Sequence, residues 1–363
     1  MRSDLLDLLV CPVCKTEISW TAKQQNGDEV LAASGSCSGG HSFEIREGIA
    51  ILLSQPALDP WAEMVSGIER TVAEHPEIEE ALFAADPTGL GPADRFLRVQ
   101  LLQARGRFDL AEREYMAAAV GIYGQPTYSA LGTAIEAVVK RLRSGEGPIF
   151  DVASGPGTLV REILAGTDRT VIATDVSAWV LRRLRDQLTA LGLPAGRLAL
   201  VVCDARHLPL SDGSVSDLTT LEGLGNIAAD AAREAGRLPR SAALDLLREW
   251  RRAAHRMTSV QSLFSPMSLV HRAVLAHYGV AALTFPGPLH ALLREAGWRV
   301  VDEQARSLTR RPTPRSRLLR GVRIDGLPLL PTRMRVGWLA ATPSSDVPVP
   351  AAASRPQYSR SPR

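Results

Sequence analysis

The chain has 363 residues, 45% of them apolar, and 42 basic against 39 acidic side chains leave a net charge of +3. That length suits more than one folded unit with a sizeable core, and so small a charge names no nucleic-acid or membrane partner. No run of 18 apolar residues is present to span a bilayer. The earliest apolar stretch, Leu5 to Val10, is interrupted by Asp7 and is too short for the apolar part of a secretory signal.

Immediately after it comes Cys11-Pro-Val-Cys14, followed after 22 intervening residues by Cys37-Ser-Gly-Gly-His41. Three thiolates and one imidazole on two short turns predict a tetrahedral structural zinc site of Cys11, Cys14, Cys37 and His41. A redox pair is the first alternative, although a C-x-x-C of that kind belongs beside a βαβ unit rather than upstream of a second Cys/His turn. A disulfide is the second and suits a secreted chain, and His41 has the further alternative of lying free on its loop. The fourth cysteine, Cys203, reads as a small buried hydrophobe. Cysteines this scarce and this clustered point to a reducing, cytoplasmic setting. The flanks, Asp4 to Cys14 and Ser42 to Leu53, resemble the zinc-ribbon activator subunits that partner RNA and protein methyltransferases. They are also similar to the ribbon fused to bacterial large-subunit ribosomal RNA guanine methyltransferases. The resemblance covers 1–55 and implies a ribbon able to dock a protein partner. Departures follow: residues 56–146 intervene before the next unit, and Thr219-Thr-Leu-Glu-Gly-Leu-Gly-Asn-Ile differs from the ribosomal RNA enzymes' signature. A ribbon this small needs its metal to fold, so losing Cys14 is expected to unfold 1–55 locally and leave cofactor affinity nearly intact.

Residues 56–146 read as a helical linker and cap. Trp61 to Glu74 and Ile78 to Ala84 are periodic segments split by Pro76, and Asp86 to Pro92 forms a loop. Ala93 to Val120 follows with a break near Gly106, then Tyr128 to Leu142. Tyr115, Tyr123 and Tyr128 fall here, either lining an acceptor pocket or packing as ordinary core tyrosines.

Ile149-Phe-Asp-Val-Ala-Ser-Gly-Pro-Gly157 is an apolar strand ending in an acid and opening into a small-residue turn, with a helix-forming run from Thr158. Such a turn admits close approach of backbone N–H groups and aims a helix N-terminus at a ligand. A dinucleotide fingerprint would place glycine three residues after Gly157, where Val160 stands. Small residues alternate instead at Ala153, Gly155 and Gly157, two positions after Asp151. This resembles the first motif of class I S-adenosylmethionine-dependent methyltransferases, with Ala153 where the family usually has glycine. Downstream, Thr170 to Thr174 ends at Asp175, Leu198 to Cys203 ends at Asp204-Ala205, and a fourth strand carries Asp217. An amphipathic helix around Trp250 precedes a fifth strand near Ser259 to Phe264, and Leu292 onward looks like the last helix and sixth strand. Arg335 to Ala341 supplies a seventh. The resemblance implies an α/β, Rossmann-like seven-stranded domain over 147–343. It implies cofactor contacts from Asp151, Ala153, Gly155 and Gly157, ribose hydroxyls on Asp175, and adenine held at Asp204 and Ala205.

Glu222 and Asn226, just past the fourth strand, sit where open α/β sheets place ligands and are the acceptor-site candidates, with helix capping the alternative for Asn226. The segment 266–289 is long enough for an acceptor lid and holds His271 and His277, each a general base or a surface histidine. Nine arginines and one acid occupy 306–335, readable as a phosphate-binding stripe or as decorated surface without aromatic platforms. Residues 344–363 are rich in Pro, Ser and Ala and are expected to be disordered. The expected function is methyl transfer from S-adenosylmethionine to a small-molecule or metabolite-like acceptor. An RNA base methyltransferase and a non-catalytic, cofactor-binding activator are the alternatives.

Overall fold

Turns at Gly27, Gly40 and Gly48, all at positive φ, separate the amino-terminal strands Ile18–Asn26 (β1), Glu29–Cys37 (β2), Ser42–Arg46 (β3) and Ile49–Leu52 (β4), an antiparallel meander. The computed structural model describes residues 1–53, 60–235, 239–265, 286–310, 316–318 and 332–344. The lid segment with His271 and His277, most of the arginine stripe and the tail after Ser344 lie outside the described residues.

Pro60–Glu74 (α1), Pro76–Leu82 (α2), Pro92–Ala104 (α3), Phe108–Tyr123 (α4) and Gln125–Leu142 (α5) form the helical region. Prolines stand at or next to the first position of α2, α3 and α5, where a missing N–H costs nothing. The break expected near Gly106 falls between α3 and α4. These helices carry small cores of their own, Val72, Leu82, Leu97 and Leu101 in one and Val99, Leu102, Ala111 and Ala118 in another. Buried Arg98 bridges them, pairing with Glu114 at 2.7 Å and donating to the Ala84 carbonyl at 3.0 Å. Asp94, also buried, accepts from the Ser316 hydroxyl at 2.5 Å and the Arg317 N–H at 3.1 Å, tying α3 to a distant segment.

The second half alternates strand and helix. Ile149–Asp151 (β5), Val171–Asp175 (β6), Leu198–Cys203 (β7), Val215–Leu221 (β8), Ala254–Ser265 (β9), Trp298–Arg310 (β10) and Thr332–Pro343 (β11) are joined by Thr158–Gly166 (α6), Ala178–Ala190 (α7), Gly223–Ala235 (α8), Pro239–Ala253 (α9) and Pro286–Glu295 (α10). All strands belong to one eleven-stranded sheet ordered β1-β2-β3-β4-β7-β6-β5-β8-β9-β11-β10. Seven of them, β7-β6-β5-β8-β9-β11-β10, make the expected Rossmann-like sheet, with β11 antiparallel and inserted between β9 and β10. The meander continues it, because β4 runs parallel to β7 from Ile49 beside Leu200 to Leu52 beside Cys203. Near-continuous apolar strands, Ile149 and Phe150 fully buried among them, are what a parallel sheet covered on both faces requires.

Strand order reverses about β5: β6 and β7 follow on one side, β8 and β9 on the other, all parallel. That switch point leaves a crevice at the carboxyl ends of β5 and β6, where open α/β sheets take their ligands. Asp217, read from sequence as the fourth strand's usual acid, lies near the opposite end of β8. Arg169 pairs with it at 2.7 Å and Arg256 at 2.8 Å.

Candidate cofactor and metal sites

The turn after β5 is built by its own side chains. Ser154 donates from its hydroxyl to Asp151 Oδ2 at 2.7 Å and accepts from the Thr174 N–H at 3.1 Å. Thr219, one strand away, donates to Asp151 Oδ1 at 2.6 Å. Burial in this apolar setting pushes the Asp151 carboxyl up to about 6, against the pull of those two hydroxyls. Ala153, Gly155 and Gly157 all have positive φ, at 54°, 52° and 83°. A Cβ at Gly157 would also stand 2.1 Å from Leu184 Cδ1, so a side chain there would have to displace that leucine. Asp175 at the tip of β6 accepts from the Gly155 N–H at 3.0 Å and from the Ser177 N–H at 3.0 Å. Six of the expected cofactor residues therefore border one crevice edge: Asp151, Ala153, Gly155, Gly157, Asp175 and, one strand further, Asp204.

Asp204 accepts from the Arg206 N–H at 2.9 Å and pairs with its guanidinium at 2.7 Å. Burial raises this carboxyl, but Arg206 outweighs it and holds the group below the usual carboxylate range. The Ala205 carbonyl accepts from Trp250 Nε1 at 3.0 Å, which leaves its backbone N–H and methyl as the parts able to meet a ligand.

At the carboxyl end of β8, Glu222 adopts φ 58°, a left-handed conformation that side chains rarely take. Its N–H donates to the Val260 carbonyl at 2.9 Å, and its carboxylate accepts from the Ser262 hydroxyl at 2.5 Å. Backbone strain of this kind concentrates at functional sites. Gly223 beside it abuts the glycine turn, a Cβ there reaching within 3.1 Å of Ala153 Cβ. Asn226 lies within the first turn of α8 and is exposed, so the capping alternative does not hold. Tyr123 ends α4 edge-on to Phe96, ring centroids 6.2 Å apart. Tyr115 is the tyrosine that reaches the start of α6: burial pushes its phenol up, and the Thr158 side chain beside it opposes that shift. Arg161 of α6 pairs with Glu112 of α4 at 2.7 Å, so α4 covers the helix that the glycine turn opens. His290, on α10, meets Glu303 at 3.0 Å on the surface. Ser154, Thr219 and Ser262 carried no sequence signal, because each acts on a residue brought near only by turn or strand pairing.

The four metal-ligand candidates converge. Their ligand atoms all lie within 4.8 Å of one another, with Cys14 and Cys37 sulfurs 3.6 Å apart and His41 Nδ1 at 3.3, 3.5 and 3.9 Å from Cys37, Cys11 and Cys14. A tetrahedral zinc with bonds of about 2.3 Å to sulfur and about 2.0 Å to nitrogen demands edges of roughly 3.5–3.8 Å. The donor set and its spacing fit that ion. Gly39 packs under it, where a Cβ would meet Cys14 Sγ at 3.1 Å. None of the four cysteines is disulfide-bonded in this structure, and Cys203 is buried as expected.

Residues 149–240 match the family profile described as a methyltransferase domain. Over 81 residues the chain is 36% identical to the ubiquinone/menaquinone biosynthesis C-methyltransferase UbiE of Cellvibrio japonicus (strain Ueda107), covering 22% of this chain and 32% of that one. The chain thus spans about a third of that curated relative's length. Among solved structures, magnesium protoporphyrin IX methyltransferase (ChlM) from Synechocystis PCC 6803 shares 12% identity at a TM-score of 0.39, covering 80% of this chain and 100% of that one. A SAM-dependent methyltransferase from Aquifex aeolicus shares 15% at a TM-score of 0.36, covering 57% and 89%. The profile match and the strand order define a class I S-adenosylmethionine-dependent methyltransferase domain. An amino-terminal β region holding a Cys₃His cluster precedes it.

Proposed function

We propose that the chain transfers a methyl group from S-adenosylmethionine to a small-molecule acceptor. The observation that carries this reading is the left-handed turn 153–157 at the switch point, tied to Asp175 and flanked by the acid of the next strand, Asp204. When bound, the cofactor supplies an electrophilic methyl group on its sulfonium. In this reading Asp175 takes the ribose hydroxyls, Asp204 and Ala205 hold the adenine, and the start of α6, which the turn opens, faces the cofactor's amino-acid end. Positioning then supplies much of the rate, since an acceptor atom held in line reacts as if highly concentrated. We assign Glu222, oriented by Ser262, to receive the acceptor's proton when the nucleophile is a hydroxyl or phenol. Zinc, held by Cys11, Cys14, Cys37 and His41, is structural. Scarce cysteines, three of them gathered for a metal, favour a reducing, cytoplasmic setting, and no described helix is long and apolar enough to cross a membrane.

The small-acceptor reading is supported by the side chains that tie α4 to the start of α6, Arg161 with Glu112 and Tyr115 with Thr158, since helices beside the cofactor turn can orient a small substrate. The curated relative, named for C-methyl transfer in ubiquinone/menaquinone biosynthesis, is in keeping with it. Supplying radiolabelled cofactor to a cell extract and fractionating the product tests the proposal. Label in small molecules is expected. Salt-sensitive label in RNA, lost on neutralising Arg310, Arg311 and Arg315, would establish the RNA reading instead. Cofactor binding without transfer to any fraction would leave an activator.

A further inference from the structure

The segment after β7, residues 204–210, is held from two sides. Helix α9 holds one: Trp250 Nε1 donates to the Ala205 carbonyl, and Arg252 donates to the carbonyl of Leu210 at 2.7 Å and, at 3.4 Å, to that of Leu208. The metal turn holds the other. The Val10 N–H donates to the Pro209 carbonyl at 3.1 Å, Leu9 bridges Leu210, and Lys15 Nζ donates to the Leu208 carbonyl at 2.8 Å and to Glu249 at 2.9 Å. Lys15 follows Cys14 directly and has φ 58°. Its N–H donates to the Cys11 carbonyl at 2.9 Å, and the Cys11 N–H donates to the Thr16 carbonyl at 2.9 Å. The ring of backbone that fixes Lys15 is therefore the one closed by the metal ligands Cys11 and Cys14. Leu9, Cys11, Cys37, Leu208, Leu210 and Trp250 share one apolar core, so the knuckle and the segment pack as a unit.

Resting on the cofactor reading above, we propose that Lys15 is a positioning residue for the cofactor: the zinc knuckle sets the Asp204–Ala205 loop through it, and metal and cofactor binding are coupled. The 208 carbonyl, deprived of Lys15, retains only the long contact from Arg252, and the loop that presents Asp204 loosens. This replaces the expectation that the ribbon can unfold without consequence for the cofactor. By thermodynamic reciprocity, whatever factor zinc adds to cofactor affinity the cofactor adds to zinc affinity.

Calorimetric titration of S-adenosylhomocysteine into the full chain tests this. Lys15→Met is expected to bind about tenfold more weakly while keeping one zinc, and Lys15→Arg, which restores the donor, to bind within about twofold of wild type. In turnover, Lys15→Met should raise KM for the cofactor and keep kcat. Independent of any variant, zinc affinity of the wild-type chain, measured by competition with a chromogenic chelator, should rise about tenfold in saturating S-adenosylhomocysteine. Equal cofactor affinity in wild type and Lys15→Met, with zinc affinity indifferent to the ligand, would overturn the coupling and leave the cofactor reading standing. A wild-type chain that binds no S-adenosylhomocysteine would overturn that reading itself.

Discussion

The Gly155 N–H donates to Asp175 Oδ2 at 3.0 Å, joining the glycine turn of one strand to the acid at the tip of the next. Together with the Ser177 N–H on Oδ1, this fixes the carboxylate in the crevice before any ligand arrives. A group so held loses little freedom on binding. Asp175→Ala should weaken S-adenosylhomocysteine binding by about 1.5–3 kcal/mol, the range for hydrogen bonds to a charged group. Unchanged affinity by calorimetry would remove Asp175 from the site.

Ala153 occupies a left-handed conformation, φ 54°, in a turn whose other small residues are glycines. An L-residue there carries a steric cost of about 1–2 kcal/mol, offset in part by glycine's greater loss of entropy, about 0.5–1 kcal/mol. Ala153→Gly should therefore stabilise the chain by about 0.5–1 kcal/mol in denaturant melts, with cofactor affinity kept. A destabilised variant would show that the Ala153 methyl packs productively beside Gly223.

Asp151 gives a pH signature. Its folded-state value of about 6 lies above the unfolded 3.8, so the native state holds the proton more tightly. The group contributes its full stability below the unfolded value, loses it as pH rises from about 4 to about 6, and leaves a buried charge above that. The difference is about 3 kcal/mol. Asp151→Asn should flatten that portion of the stability profile and narrow the gap between pH 4 and pH 7. Identical profiles for variant and wild type would mean that Asp151 does not titrate in this window.

Glu222 is held at a strained φ and by Ser262. Glu222→Gln keeps an oxygen to accept the Ser262 hydroxyl but removes the base. With a hydroxyl or phenol acceptor, kcat should fall by about 10²–10⁴, and S-adenosylhomocysteine affinity should stay unchanged. A kcat within twofold of wild type, roughly 0.4 kcal/mol, would exclude Glu222 as the proton acceptor.

What the sequence by itself determined was local. Apolar runs ending in Asp151, Asp175 and Asp204 fixed the strand ends, because strand periodicity and its termination are read over a few residues. Two Cys/His turns predicted a cluster that does converge, since each turn's geometry is set locally, by left-handed Lys15 in one and by Gly40 in the other. Pro76 and Gly106 broke the helices where expected. What only the tertiary structure decided were contacts across strands. Thr219 on Asp151 and Ser262 on Glu222 depend on the register of β5 with β8 and of β8 with β9, which no short window encodes. Asp217 was legible as the acid of the fourth strand, and only the structure shows that it pairs with Arg169 and Arg256. The joining of β4 to β7, with Lys15 reaching Leu208 across nearly two hundred residues, follows from an exposed sheet edge taking a further strand. Backbone N–H and C=O groups demand partners, but which chain segment supplies them is settled by packing.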